Sequence, residues 1–162
     1  MYFCEPFAPA AWRSDWVEPM PERLRPIMAS MSPNRDAEDR HRRAFVQYIE
    51  TSRVDLPSAV RGLFGDDAVE QLPQSGERIA GADQILRVSQ AHPDAPTARI
   101  RRLRASGDVL VAELALDYAG DPWFAVEILE FEANKVATST GYFAPPFEAP
   151  AWREAWVSRL ES

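Results

Sequence analysis

The spacing of apolar residues divides the chain into a helical half followed by a strand half. Between Asp36 and Ser52, Ala44, Phe45, Tyr48, Ile49 and Ser52 fall on one face at helical spacing, which predicts a helix. Asp55 is placed to cap a second helix with Pro57 in its first turn. There Leu56, Val60, Leu63 and Phe64 form a stripe and Gly65 supplies a stop. Ala68–Leu72 and Glu77–Ala80 are short strand candidates around a Gln74-Ser75-Gly76 turn, and 82–91 is a third short helix ended by His92-Pro93. The period then changes to two. Thr97–Ala105, Val109–Tyr118, Trp123–Glu132 and Lys135–Phe143 read as strands, separated by turns at Ser106-Gly107-Asp108, Ala119-Gly120-Asp121 and Ala133-Asn134. Helices first and a four-strand meander afterwards predict an α+β domain with a curved antiparallel sheet wrapped on three helices.

The two ends of the chain repeat one another. Tyr2-Phe3-Cys4-Glu5-Pro6-Phe7, Ala11-Trp12-Arg13 and Trp16-Val17 reappear as Tyr142-Phe143-Ala144-Pro145-Pro146-Phe147, Ala151-Trp152-Arg153 and Trp156-Val157, in the same register. This divides the chain into an aromatic arm with a proline-rich linker (1–35), a domain body (36–147) and a C-terminal amphipathic helix (148–162). In that helix Trp152, Trp156 and Leu160 lie four apart and share a face. Burying an indole removes roughly 150–250 Å² from water, so this stripe is expected to be covered. The C-terminal copy is expected to pack on its own domain, and the N-terminal copy either does nearly the same elsewhere or docks on the partner subunit of a dimer. A tandem pair of domains that lost its first member is a third account of the repeat.

Composition narrows the function classes. The net charge of −7 argues against a nucleic-acid partner, which selects a basic patch, and against an electrostatic membrane anchor. Cys4 is the single cysteine, so no intrachain disulfide forms, which fits a reducing compartment. The N-terminus lacks the basic and apolar pattern of a secretory signal, and no apolar run approaches membrane-spanning length. These features predict a cytoplasmic protein with no membrane and no nucleic-acid partner. His41 lies in the charged run 36–43 and reads as part of a solvated helix face, and His92 reads as a helix-end residue. With no acid or cysteine at ligand spacing they make no metal site. Asp66-Asp67, after the glycine stop, reads as a turn.

Glu127 is the sharpest chemical candidate. Strand alternation puts Trp123, Ala125, Glu127, Leu129 and Phe131 on one face, so the acid sits among apolar neighbours. Inside a fold its pKa would rise, and a neutral carboxyl can donate a hydrogen bond or act as a general acid. Arg99, Arg101, Arg102 and Arg104 offer the alternative, a structural ion pair. Tyr48 lies on the apolar helix face, where it is either a core tyrosine or a second donor.

The order of elements resembles the nuclear transport factor 2-like superfamily and, within it, the SnoaL-like proteins. The resemblance rests on Leu63-Phe64-Gly65-Asp66-Asp67-Ala68-Val69 and Ile79-Ala80-Gly81-Ala82-Asp83-Gln84-Ile85. Further support comes from Arg99-Ile100-Arg101-Arg102-Leu103 and from Glu127-Ile128-Leu129-Glu130-Phe131 followed by Lys135-Val136. It implies a cone with an internal pocket, and commonly a homodimer through the outer face of the sheet. By position it implies that Tyr48 and Glu127 polarise a substrate oxygen, with Phe45, Leu72, Trp123 and Phe143 around the substrate. The residue at the family's proton-shuttling position is Leu72, preceded by Gln71, and leucine cannot move a proton. Ketosteroid isomerisation proper is therefore disfavoured. Two readings stay open. One is a cofactor-independent isomerase, cyclase or hydratase acting on a small apolar carbonyl-bearing or polycyclic molecule. The other is a non-catalytic small-molecule binding or dimerisation module.

Overall fold

The computed structural model of the chain describes residues 35–160. The N-terminal copy of the aromatic repeat and most of the linker lie outside them. Among these residues there are three α-helices: α1 (Arg35–Ser52), α2 (Leu56–Leu63) and, after two strands, α3 (Ala82–Ala91). The strands are β1 (Phe64–Leu72), β2 (Glu77–Ala80), β3 (Thr97–Ser106), β4 (Val109–Tyr118), β5 (Asp121–Glu132) and β6 (Lys135–Ala144). Asp55 caps α2 as its position predicts, with its carboxylate accepting from the Ser58 N–H at 3.0 Å.

The six strands form one sheet in the order β2-β1-β6-β5-β4-β3. The predicted meander from β3 to β6 is present, and each of its pairs is antiparallel. Its hairpins turn on residue pairs that include a left-handed backbone: Gly107, Ala119 with Gly120, and Ala133. The sheet as a whole is mixed, not antiparallel, because β1 pairs with β6 in parallel. The cause is topological. The chain leaves β1 through the β2 hairpin, crosses on α3 to the far edge of the sheet, and returns strand by strand until β6 meets β1 running the same way. Nothing local to either strand encodes that pairing.

Two further expectations are corrected. The α2 helix does not stop at Gly65: it passes directly into β1 at Phe64. Asp66 and Asp67 therefore lie within a strand, where the β1–β6 register shifts between Phe64 and Val69. The C-terminal stripe is not an α-helix to Leu160 but a short 3₁₀ turn, Ala151–Trp156. Its Trp152 and Trp156 are 74% and 79% exposed, and Leu160 is exposed too, so this domain does not cover its own arm. Proline at 145, 146 and 150 keeps the approach extended and leaves too few residues to nucleate a longer helix.

The inner face of the sheet packs on the helices. Leu110, Ala112, Leu114 and Leu116 of β4 and Ala125, Leu129 and Phe131 of β5 meet Phe45 and Ile49 of α1, Val60 and Leu63 of α2 and Ile85 and Leu86 of α3 in one apolar cluster. Arg101, Arg102 and Arg104 lie on the exposed face of β3. There Arg102 pairs with Glu113 at 3.5 Å and Arg101 lies over the Phe124 ring.

Candidate active site

Strand register fixes the polar groups of the inner face. In one row across the sheet stand Ile79, Glu70, Ser139, Leu129 and Leu110. In the next, Gly141, Glu127 and Ala112 are aligned, and in the one after, Phe143, Ala125 and Leu114. Two carboxyls thus sit in adjacent rows, on either side of β6, among residues that are otherwise apolar or small.

Gly141 matters to the shape of this surface. A Cβ there would lie 2.8 Å from Phe143 Cε2 and 3.5 Å from Leu72 Cδ2. Its absence lets the Phe143 ring fold back along β6 toward Leu72, beside Glu127. The end of β6 is held by Gln74 of the β1–β2 turn, whose amide donates to the Phe143 carbonyl and accepts from the Phe143 N–H. Trp123, half-buried in the outermost inner-face row, stands edge-on to Tyr118 and donates from its indole N–H to Asp121 at 2.9 Å. Phe45 is wholly buried, with its ring 6.0 Å from that of Tyr48. On its other side Tyr48 meets Phe64 edge-on. These two contacts fix the direction of the phenol.

The electrostatics bring Tyr48, Glu127 and Glu70 together. Burial pushes the Glu127 carboxyl up to about 7, and the neighbouring charge of Glu70 pushes it the same way. Burial also raises Glu70. The Tyr48 hydroxyl is raised far above the ordinary phenol range, first by burial and then by the charges of Glu127 and Glu70. Each of the three is thus held toward its neutral form. Among the described residues no ion pair and no side-chain hydrogen bond engages any of the three side chains, although α1 and the sheet supply several to other groups. The arginine partnership considered for Glu127 is ruled out by the pleat: the arginines of β3 project from the opposite face.

Glu70 joins Tyr48 and Glu127 as a candidate that the sequence reading, centred on Leu72 and Gln71, does not name. The signal was present. Ala68, Glu70 and Leu72 alternate as Trp123–Phe131 do, and the same period-two argument that exposed Glu127 puts Glu70 inside. His41 is a second correction. It is 1% exposed rather than solvated, with its ring stacked on Phe131 at 4.0 Å between centroids. Its place four residues before Phe45 puts it on the core face of α1 despite its charged neighbours. Glu38, buried beside it, accepts from the Gly107 N–H at 3.2 Å and pairs with Arg42. Among the described residues no group of His, Cys, Asp or Glu is arranged to hold a metal ion, and no helix is long and apolar enough to cross a membrane.

Comparison with solved structures places this arrangement. A nuclear transport factor 2-like protein of unknown function from Burkholderia xenovorans is 35% identical, with 77% of this chain and 98% of that one aligned at a TM-score of 0.71. The chain belongs to the nuclear transport factor 2-like superfamily. A protein from Kribbella flavida, described as a candidate ketosteroid isomerase, is 26% identical over 77% of this chain and 93% of its own, with a TM-score of 0.70. A candidate SnoaL-like polyketide cyclase from Jannaschia aligns over 66% of this chain and 87% of its own, with a TM-score of 0.58. At 10% identity it shares the fold alone. No family model and no curated protein matches the sequence. The superfamily assignment thus rests on structure and on the 35% relative, and the open six-stranded mixed sheet with its helices is consistent with the cone fold anticipated from the sequence.

Proposed function

We propose that this member of the superfamily is a cofactor-independent acid–base enzyme acting on a small apolar carbonyl compound, with Tyr48 and Glu127 polarising the carbonyl oxygen and Glu70 moving the proton. One observation carries the reading: three proton-bearing groups from α1, β1 and β5 share one field inside the fold, and among the described residues no side chain pairs with them. Paired carboxyls in unlike surroundings can divide acid from base. Glu127, raised by burial and by the charge of Glu70, is the neutral donor. Glu70, raised by burial alone, is assigned the base.

In the step this supports, Glu70 takes a proton from the carbon next to the carbonyl. The C–H electron pair moves into the C–C bond, and the carbonyl π pair moves onto oxygen. The Tyr48 and Glu127 O–H groups donate to that oxyanion, which a low-dielectric site stabilises strongly. The protonated Glu70 then returns the proton to the same or a conjugated carbon. Leu72, Trp123 and Phe143 supply apolar contact, and Phe45 backs the Tyr48 ring. Leu72 thereby loses the significance it had in the sequence, since the proton carrier stands two residues earlier on the same face of the strand. The Kribbella flavida relative, described as a candidate ketosteroid isomerase, is consistent with this class of reaction.

The test is binding of 2-naphthol, whose phenolate mimics the oxyanion. Tyr48→Phe and Glu127→Gln are each expected to weaken it by roughly tenfold or more, the worth of one charge-assisted hydrogen bond. Unchanged affinity in both variants would leave the non-catalytic binder as the better description. We also propose a homodimer through the outer face of the sheet, where Phe124, Val126 and Tyr142 are exposed apolar side chains. The mass in solution, by light scattering, is expected to be twice that of the 18.2 kDa chain, and Val126→Lys to halve it.

A further inference from the structure

Among the described residues, three buried side-chain atoms have no hydrogen-bond partner: both ring nitrogens of His41, and Ser139 Oγ. The two residues stand in different surroundings. The His41 ring is packed flat against Phe131, with Glu38 and the β3–β4 turn beside it. Ser139 lies on the inner face of β6, 3% exposed, directly between Glu70 on β1 and Leu129 on β5. It is therefore a donor and acceptor withdrawn from water in the same row as an unpartnered carboxyl. A buried hydroxyl without a partner costs free energy that alanine at the same place would not. The hydroxyl becomes favourable once something polar reaches it.

We propose that Ser139 is a ligand-contacting residue: its hydroxyl receives a second polar group of the substrate while the carbonyl oxygen lies at Tyr48 and Glu127. This rests on the acid–base reading above and narrows its substrate class. Ser139 faces Leu129, and Glu127 is two residues along the same strand, so Ser139 and Glu127 form a diagonal cross-strand pair, roughly 7–8 Å apart. A rigid two-ring skeleton spans that distance with an oxygen at each end. The substrate is then a carbonyl compound bearing a distal hydroxyl or second carbonyl, in preference to a hydrocarbon ketone.

The experiment compares 2-naphthol with 2,6-dihydroxynaphthalene, which adds one oxygen at the far end of the same skeleton. The wild-type protein is expected to bind the diol about tenfold more tightly than 2-naphthol. In Ser139→Ala that preference is expected to fall to about one, with 2-naphthol affinity unchanged and the ligand-free melting temperature unchanged or raised. A wild-type preference near one, or a preference that survives in Ser139→Ala, overturns the proposal. So does a Ser139→Ala protein that melts markedly lower, because the hydroxyl would then be bonded within the protein. If 2-naphthol itself fails to bind, or binds without responding to Tyr48→Phe, the acid–base site falls and this proposal with it. A normal response to Tyr48→Phe with no preference for the diol removes the Ser139 assignment alone.

Discussion

Replacing Glu70 by glutamine is expected to slow exchange of the α-protons of 2-tetralone in heavy water by roughly a hundred- to ten-thousand-fold, the range over which a positioned general base contributes. The substitution keeps the shape of the side chain and removes its ability to take a proton. Affinity for 2-naphthol should survive, because the oxyanion is held by Tyr48 and Glu127. The loss therefore falls on turnover and not on binding. Removing the Glu70 charge also removes one of the two influences that raise Glu127. Burial, the larger one, remains, so Glu127 stays available as a donor. Exchange measured by proton NMR at pH 7 decides the matter. Equal rates in the wild type and Glu70→Gln would remove Glu70 from the reaction. A wild-type rate no faster than buffer would support the binding module instead.

Period-two alternation names the face of a strand residue once the strand is recognised. It located Glu127 because β5 is long and its alternation is clean from Trp123 to Phe131. It missed Glu70 because β1 was recognised only from Ala68 onward. With its first half read as a helix stop and a turn, only Ala68, Glu70 and Leu72 remain to show the alternation, and the leucine at the proton-shuttling position draws the reading away from the acid two residues before it. The parallel β1–β6 pairing was out of reach for another reason. Phe64 and Val136 are partners, and no local propensity encodes a contact between segments so far apart in the chain. Yet that pairing is what sets Glu70 beside Ser139 and one row from Glu127. His41 illustrates the reverse error, where the composition of its neighbours outweighed its helical spacing from Phe45. The terminal repeat was visible in full, but the expectation that its tryptophans are covered assumed an α-helix docked on its own domain. The C-terminal copy instead forms a short 3₁₀ turn and leaves both indoles in solvent.

The second large effect concerns stability. Glu127→Gln is expected to stabilise the protein at pH 8 and to do little at pH 4. A free glutamate titrates near 4.5, whereas burial, helped by the Glu70 charge, pushes the folded-state carboxyl up to about 7. Below 4.5 the group is protonated in both states and favours neither. Between 4.5 and 7 the folded protein holds a proton that the unfolded chain has released, so stability falls as pH rises through that window. Above 7 the folded protein must carry an ionised carboxylate in an apolar place, at a cost of about 3 kcal/mol. Glutamine never ionises and escapes that cost. For a domain of this size the difference corresponds to a melting temperature higher by about 10 °C.

Glu70, raised in the same direction by burial, keeps part of the pH slope in the variant. The diagnostic quantity is therefore the gap between the two proteins, which should open between pH 5 and 7. A gap equal at both ends of the range would mean that the gain comes from packing and that Glu127 is not held neutral by its surroundings. A gap that opens as described, in a variant that also loses 2-naphthol, would tie the two results to one cause. The desolvation that makes Glu127 costly to the fold would be what makes its proton available to an oxyanion.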